Sequence, residues 1–177
     1  MIRLICLLVF LLGVNFAQAN TNIRFSPLSP LVGVIDVEVD FKVSEAWSVG
    51  PQLSILSTED GNYDVSGYKV GVRANYFFSG SVFTQGWYFG PSVSVISVNV
   101  KENIAISNYE GDAKGINFNA LFGYQWMWES FNINLGGGPS YVSLGKIRTK
   151  DNSGNTESYD GFSGVGLAIE FMLGWKF

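Results

Sequence analysis

From Leu31 onward, apolar residues alternate with small, polar or charged ones over long stretches, the period-two pattern of strands with one greasy face and one polar face. In Leu31 to Val43 one parity holds Leu31, Gly33, Ile35, Val37, Val39, Phe41 and Val43, and the other holds Asp36, Glu38, Asp40 and Lys42. Trp47 to Ser57 sets Trp47, Val49, Leu53 and Ile55 against Ser48, Gln52 and Ser54. Tyr68 to Phe78 sets Tyr68, Val70, Val72, Ala74, Tyr76 and Phe78 against Lys69, Gly71, Arg73 and Asn75. Further strands are predicted over Gly86 to Val100, Gly115 to Trp128, Phe131 to Ile147 and Ser163 to Phe177. Within Gly86 to Val100 the apolar parity slips near Ile96, where Val98 and Val100 take over, and the slip predicts a β-bulge. No segment of the mature chain has a convincing helical period.

The links between these strands alternate in length. Ser44 to Ala46, Ser79 to Gln85 and Glu129-Ser130 are short, whereas Thr58 to Gly67, Lys101 to Lys114 and Arg148 to Phe162 are long and polar. Short turns at one end and long loops at the other are the asymmetry of outer-membrane barrels, with the short side periplasmic. Counting back from the last strand, Leu31 to Val43 runs toward the periplasm and needs a rising strand before it. Asn22 to Ser26 supplies one, with Ile23 and Phe25 outward, Arg24 inward and a Ser26-Pro27-Leu28-Ser29-Pro30 link above. The expected fold is therefore all-β: an eight-stranded antiparallel up-and-down transmembrane β-barrel, eight being an even number that closes.

The continuous apolar run from Leu4 to Val14 follows Arg3 and ends at Ala17-Gln18-Ala19 before Asn20. This is the layout of a Sec signal peptide, so residues 1–19 are expected to be removed and residues 20–177 to form the barrel. Cys6 lies inside the apolar run, too early for lipoprotein acylation, and the mature chain is left without cysteine. Loss of Arg3 leaves ten basic against fifteen acidic residues, a net charge of −5 that offers nothing to nucleic acid.

The tryptophans Trp47, Trp87, Trp126, Trp128 and Trp175 all fall beside short links or at the C-terminus, hence at one rim. Amphipathic aromatics favour the headgroup level, which makes this set a periplasmic aromatic girdle. A weak repeat, Gly50-Pro51-Gln52, Gly90-Pro91-Ser92 and Gly138-Pro139-Ser140, recurs a few residues into three rising strands. Proline cannot donate to a ladder, so these positions are expected to mark one shared local irregularity.

The last strand, Val165 to Phe177, alternates to its end through Phe171, Leu173, Trp175 and Phe177. It resembles the C-terminal signal by which the bacterial barrel-assembly machinery recognises its clients, and that resemblance implies the machinery as a partner during biogenesis. Phe25-Ser26-Pro27-Leu28-Ser29-Pro30-Leu31-Val32-Gly33, followed by Val37-Glu38-Val39 and Trp47-Ser48-Val49-Gly50, is similar to a bacterial family of small outer-membrane barrels of unknown function. In general plan the mature chain resembles the OmpX, OmpW and OmpA-barrel type, without a diagnostic motif of any of them.

The chemistry on offer is narrow. There is no histidine, which removes the usual general base and the commonest metal ligand and rules out Ser-His-Asp and Cys-His sites. Asp36, Glu38 and Asp40 share one strand face, yet acids inside a barrel are more often salt-bridge partners than a catalytic pair. Parity turns Arg24, Lys69 and Arg73 inward as well, and the expected lumen network is Arg24, Asp36, Glu38, Asp40, Lys69, Arg73 and Glu170. The long loops carry Glu59, Asp60, Asp64, Glu110, Asp112, Asp151, Glu157 and Asp160 in no calcium-loop spacing, so they read as solvated loop.

Together these features predict a non-enzymatic outer-membrane barrel without cofactor or metal. Its expected partners are outer-membrane lipid and lipopolysaccharide, and its role is envelope-structural or loop-mediated surface binding. A narrow gated channel for ions or small solutes is the alternative; a wide pore is excluded by the size of an eight-stranded lumen. A soluble lipocalin-type barrel would reverse the two faces, against the tryptophan rim and the terminal strand.

Overall fold

The computed structural model describes residues 20–61, 63–104, 107–150 and 156–177; the expected signal peptide and Cys6 lie outside them. One antiparallel sheet contains β1 (Thr21–Phe25), β2 (Val34–Lys42), β3 (Trp47–Asp60), β4 (Tyr63–Phe77), β5 (Gly86–Ile104), β6 (Ser107–Trp128), β7 (Phe131–Leu144), β8 (Ile147–Lys150), β9 (Thr156–Tyr159) and β10 (Ser163–Lys176). Strands β1 to β7 pair in chain order, β10 pairs with both β7 and β1, and these eight staves close a barrel. The β8–β9 hairpin continues the β7–β10 ribbon beyond the barrel and leans on β6 through Glu110–Asp112.

The barrel wall is taller than the alternation predicts. The β3–β4 ladder runs to Asp60 opposite Tyr63, and the β5–β6 ladder to Ile104 opposite Ser107, so two of the expected long loops are largely hairpin. The expected bulge near Ile96 is absent: β4–β5 and β5–β6 keep one register past it. What changes there is the character of the outer face. Beyond Ile96 the outer face carries Asn99 and Lys101 opposite Asp112 and Glu110, with Lys101 Nζ 3.4 Å from Glu110 Oε1. On the inner face Val98 meets Ala113, which is buried. Beyond Ile96 the apolar residues fall on the inner parity and the outer face turns polar, with no change of register.

Leu31 and Val32 are likewise not strand. Ser29–Val32 is a single 3-10 turn with Pro30 in its first positions, ended by Gly33 at φ 74°, a left-handed conformation suited to glycine. Pro30 within this turn and Pro27 just before it lack the N–H groups a ladder would need.

The three Gly-Pro pairs do share a device. The β2–β3 ladder passes from Glu38–Gln52 to Phe41–Val49, the β4–β5 ladder from Arg73–Ser92 to Tyr76–Phe89, and the β6–β7 ladder from Asn119–Ser140 to Phe122–Gly137. Each skips the Gly-Pro without gaining a residue, so register survives and the irregularity is a gap in bonding toward the preceding strand. At Gly50 the wall is so close that a Cβ would lie 1.6 Å from Val39 O.

Burial is inverted relative to a water-soluble domain. Asn22, Arg24, Glu38, Asp40, Ser48, Arg73, Asn75, Gln125, Asn132, Asn134 and Glu170 are buried, whereas Leu53, Val72, Phe118, Phe122, Leu167 and Ile169 are exposed on the outer face. An apolar cluster of buried residues lies at the short-link end. There the segment between β4 and β5 folds into the lumen, burying Val82 and Phe83 against Phe77 and Tyr88. Val82 N–H donates to Glu45 O at 2.7 Å, Gln125 Nε2 donates to Thr84 O at 3.1 Å, and Phe83 accepts φ 57° to fit.

Candidate functional site

Above this apolar stopper the lumen is filled in layers. The first is amide: Asn132 Nδ2 donates to Asn22 Oδ1 at 2.8 Å and Asn134 Nδ2 to Asn132 Oδ1 at 2.7 Å. The second is ionic. It is positioned by inward parity on β1, β2, β4 and β10, where alternate residues of each strand project into one narrow space.

Arg24 reaches three acids. Its Nη2 donates to Glu38 Oε2 at 2.7 Å, and its Nη1 lies 3.7 Å from Glu170 Oε1. Its Nε sits 2.8 Å from Asp40 Oδ2, within ion-pair distance although the N–H is not aligned on that oxygen. Arg73 lies opposite, its Nη1 3.4 Å from Glu38 Oε1 and in a short contact with Glu170 Oε2. Arg73 Nε also donates to Asn75 Oδ1 at 2.9 Å, and Asn75 Nδ2 to Asp40 Oδ1 at 2.9 Å. The two guanidiniums and three carboxylates are all nearly inaccessible to solvent. Charges so deep in a lumen persist because each is paired and hydrogen-bonded to its neighbours.

Tyr88 on β5 completes the layer and was not among the residues that parity arguments singled out. Its hydroxyl donates to Glu170 Oε1 at 2.5 Å, and Arg73 Cζ stands 5.7 Å from its ring centroid. The available signal was its even position among Gly90, Ser92 and Ser94, a large ring on an otherwise small inward face. Val82 and Phe83 were missed for another reason: a link of seven residues read as a turn gives no cue that it folds inward.

Asp36 and Lys69, also expected in the network, stand one layer higher and make none of its ion pairs. Asp36 accepts the Ser54 hydroxyl at 2.6 Å. Both line a cavity of about 100 Å³ that also touches Ser26, Gln52, Arg73, Asn119 and Glu170. The acids closest together, Glu38, Asp40 and Glu170, are engaged by Arg24 and Arg73, which leaves no open carboxylate set for a metal or for acid-base chemistry among them.

At the short-link rim the tryptophans sit within two arcs of touching rings. Phe25, Trp175, Phe131 and Trp128 form one, with centroids 5.0–6.0 Å apart; Trp126, Tyr124, Trp87, Phe122, Phe78, Tyr76 and Trp47 form the other, at 4.8–5.8 Å. Phe171, Leu173, Trp175 and Phe177 share the outer parity of β10, opposite Glu170, Met172 and Gly174. Of the loop acids, Glu110 pairs with Lys101, and Glu157 accepts the Tyr159 hydroxyl at 2.5 Å. Glu59 and Asp160 are exposed, and Asp151 lies outside the described residues. The Tyr63 hydroxyl donates to Glu102 Oε1 at 2.7 Å at the tall end of the wall, and that bond beside a carboxylate raises the phenol above its ordinary value.

Comparison with known proteins agrees with this geometry at the level of fold. The structure is similar to the N-terminal β-barrel domain of Pseudomonas aeruginosa OprF, with a TM-score of 0.52 and 13% identity over 90% of this chain and 98% of that one. It is also similar to the translocator domain of the autotransporter NalP from Neisseria meningitidis, with a TM-score of 0.50 and 12% identity over 92% of this chain and 64% of that one. The chain is thus a barrel of outer-membrane type. No curated protein matches the sequence. Residues 2–172 match the family described as protein of unknown function (DUF3575), and the chain belongs to it.

Proposed function

We propose that this DUF3575 barrel is an integral outer-membrane protein, non-enzymatic, whose lumen is shut and whose role is envelope-structural or loop-mediated binding at the cell surface. The observation that carries this reading is the interlocked layer of Arg24, Glu38, Asp40, Arg73, Glu170 and Tyr88, stacked on the stopper of Val82 and Phe83. An eight-stranded lumen has room for side chains and little more, and at the level of the ionic layer they fill it. The lack of histidine and the pairing of the central acids support a non-enzymatic reading.

Placement in the outer membrane is supported by the inverted burial, the aromatic arcs at one rim and the terminal strand with its outward Phe171, Leu173, Trp175 and Phe177. In this reading the rim lies at the periplasmic headgroups, lipid and lipopolysaccharide surround the wall, and the tall β3–β4 and β5–β6 hairpins stand outside the cell. Single cysteines test the orientation on intact cells: Gly61→Cys is expected to react with an impermeant maleimide and Glu129→Cys only after the envelope is opened. The reverse pattern overturns the placement.

The cavity above the ionic layer, with Lys69 and Asp36 in its wall, favours one second reading, a narrow gated conductance. Glu38→Ala separates the two. A gate built on the ionic layer requires this variant to change a current that the wild type already carries.

A further inference from the structure

The seam that closes the barrel is short. β1 meets β10 only from Asn22–Lys176 to Phe25–Leu173, after which the chain turns away through Ser26 to Gly33. From Ser163 to Phe171, β10 is paired with β7 on one side and with no strand on the other among the described residues. Alternation identifies the stranded groups. Phe177 and Thr21 exchange both backbone bonds, so every second residue back along β10 turns its N–H and C=O to that side, and Phe171, Ile169, Leu167 and Val165 turn theirs to the gap. Their side chains register the missing neighbour: Val165, Leu167 and Ile169 are 78–85% exposed, against 44% for Leu53 and 51% for Val72 on strands flanked on both sides. Unsatisfied amides are costly in hydrocarbon, and such a gap is tolerated where it lines a polar cavity.

A cavity lies directly behind it. The lumen space of about 100 Å³ is bounded by Ala168 and Ile169 on one lip of the seam and by Ser26 and Ser29 on the other. Two donors in its wall have no partner among the described residues. One is Gln52 Nε2, on a side chain only 3% exposed, and the other is the Lys69 ammonium, the lumen cation outside the ion-pair layer.

We propose that the gap is a lateral portal for a single-chain amphiphile from the outer leaflet, its carboxylate held by Lys69 and Gln52 and its alkyl chain leaving across Leu167 and Ile169. The cavity admits a head the size of a few waters, too small for a two-chain or sugar-bearing lipid head. One unpaired cation matches one negative charge, and the free amide of Gln52 takes the second oxygen. Asp36 in the same wall disfavours a dianionic phosphate. The proposal rests on the membrane placement above and is independent of whether the lumen conducts.

Residues 20–177, refolded in nonionic detergent and checked by heat-dependent gel shift, are titrated with dodecanoate, dodecanol and dodecylammonium and observed by native mass spectrometry. One dodecanoate per barrel is expected, with the other two heads at least about tenfold weaker. Lys69→Met and Gln52→Leu are each expected to weaken dodecanoate by about tenfold, the scale of one charge-assisted hydrogen bond, while keeping the gel shift. The proposal is overturned if the folded barrel binds none, if the three heads bind alike, if ammonium binds best, or if the variants bind as the wild type does. A dimer joined through β10, suppressed by Leu167→Pro and indifferent to dodecanoate, overturns it as well by making the gap a strand-pairing edge. A barrel that conducts yet binds dodecanoate with this selectivity sinks the shut-lumen reading and leaves the portal standing.

Discussion

The hydroxyl of Tyr88 on β5 donates to Glu170 on β10 at 2.5 Å, joining two strands across the lumen that share no ladder. Glu170 is also held by Arg73 and lies near Arg24, so it is the acid on which both guanidiniums and the phenol converge. Tyr88→Phe removes one donor and leaves those charges in place, and is expected to cost about 1–2 kcal/mol. Glu170→Ala leaves buried cations short of a counter-charge and is expected to cost about 3–5 kcal/mol. Urea unfolding in lipid vesicles, followed by tryptophan fluorescence, checks the order; equal losses would mean that the layer is not cooperative.

Space around Tyr88 is supplied by a glycine on the neighbouring strand. A Cβ at Gly123 would lie 2.4 Å from Tyr88 Oη and 2.7 Å from Leu135 O, whereas one at Gly166 meets nothing within 4 Å. Gly123→Ala is therefore expected to destabilise by about 1–3 kcal/mol through overpacking. Gly166→Ala is expected to be neutral or slightly stabilising, since alanine loses less backbone freedom. The same unfolding assay separates them, and a harmless Gly123→Ala would show that Tyr88 does not occupy this position.

The stopper is expected to matter for stability rather than for closure. Phe83 is 2% exposed and packs edge-on to Phe77 at 6.2 Å, so Phe83→Ala is expected to cost about 3–5 kcal/mol, less whatever its left-handed backbone relieves. Its bilayer current stays at baseline because the ionic layer above remains intact. Openings from this single variant would place the seal in the stopper instead.

Much of this was legible from parity alone, because a barrel wall gives every residue one of two faces. Arg24, Glu38, Asp40, Arg73 and Glu170 could be turned to one lumen by counting in twos, and the short first strand could be placed by direction counting. Parity stops where the character of a face changes. The shift at Val98 and Val100 looks like an inserted residue in the sequence, but the ladder is uninterrupted there and only the outer face turns polar, with Lys101 beside Glu110. Depth along the lumen was equally hidden, so Asp36 and Lys69 could not be separated from the ionic layer below them. The seam was hidden too: nothing in Val165 to Phe171 announces that β1 will end at Phe25 and leave that edge bare, since pairing is a property of the partner strand.

The shut lumen is tested most directly by the current across a planar bilayer containing refolded residues 20–177, with folding verified first. The wild type and Phe83→Ala are expected to be silent, with salt-dependent openings only when Glu38→Ala and Phe83→Ala are combined. Discrete openings from the folded wild-type barrel would contradict a shut lumen and make the ionic layer a gate.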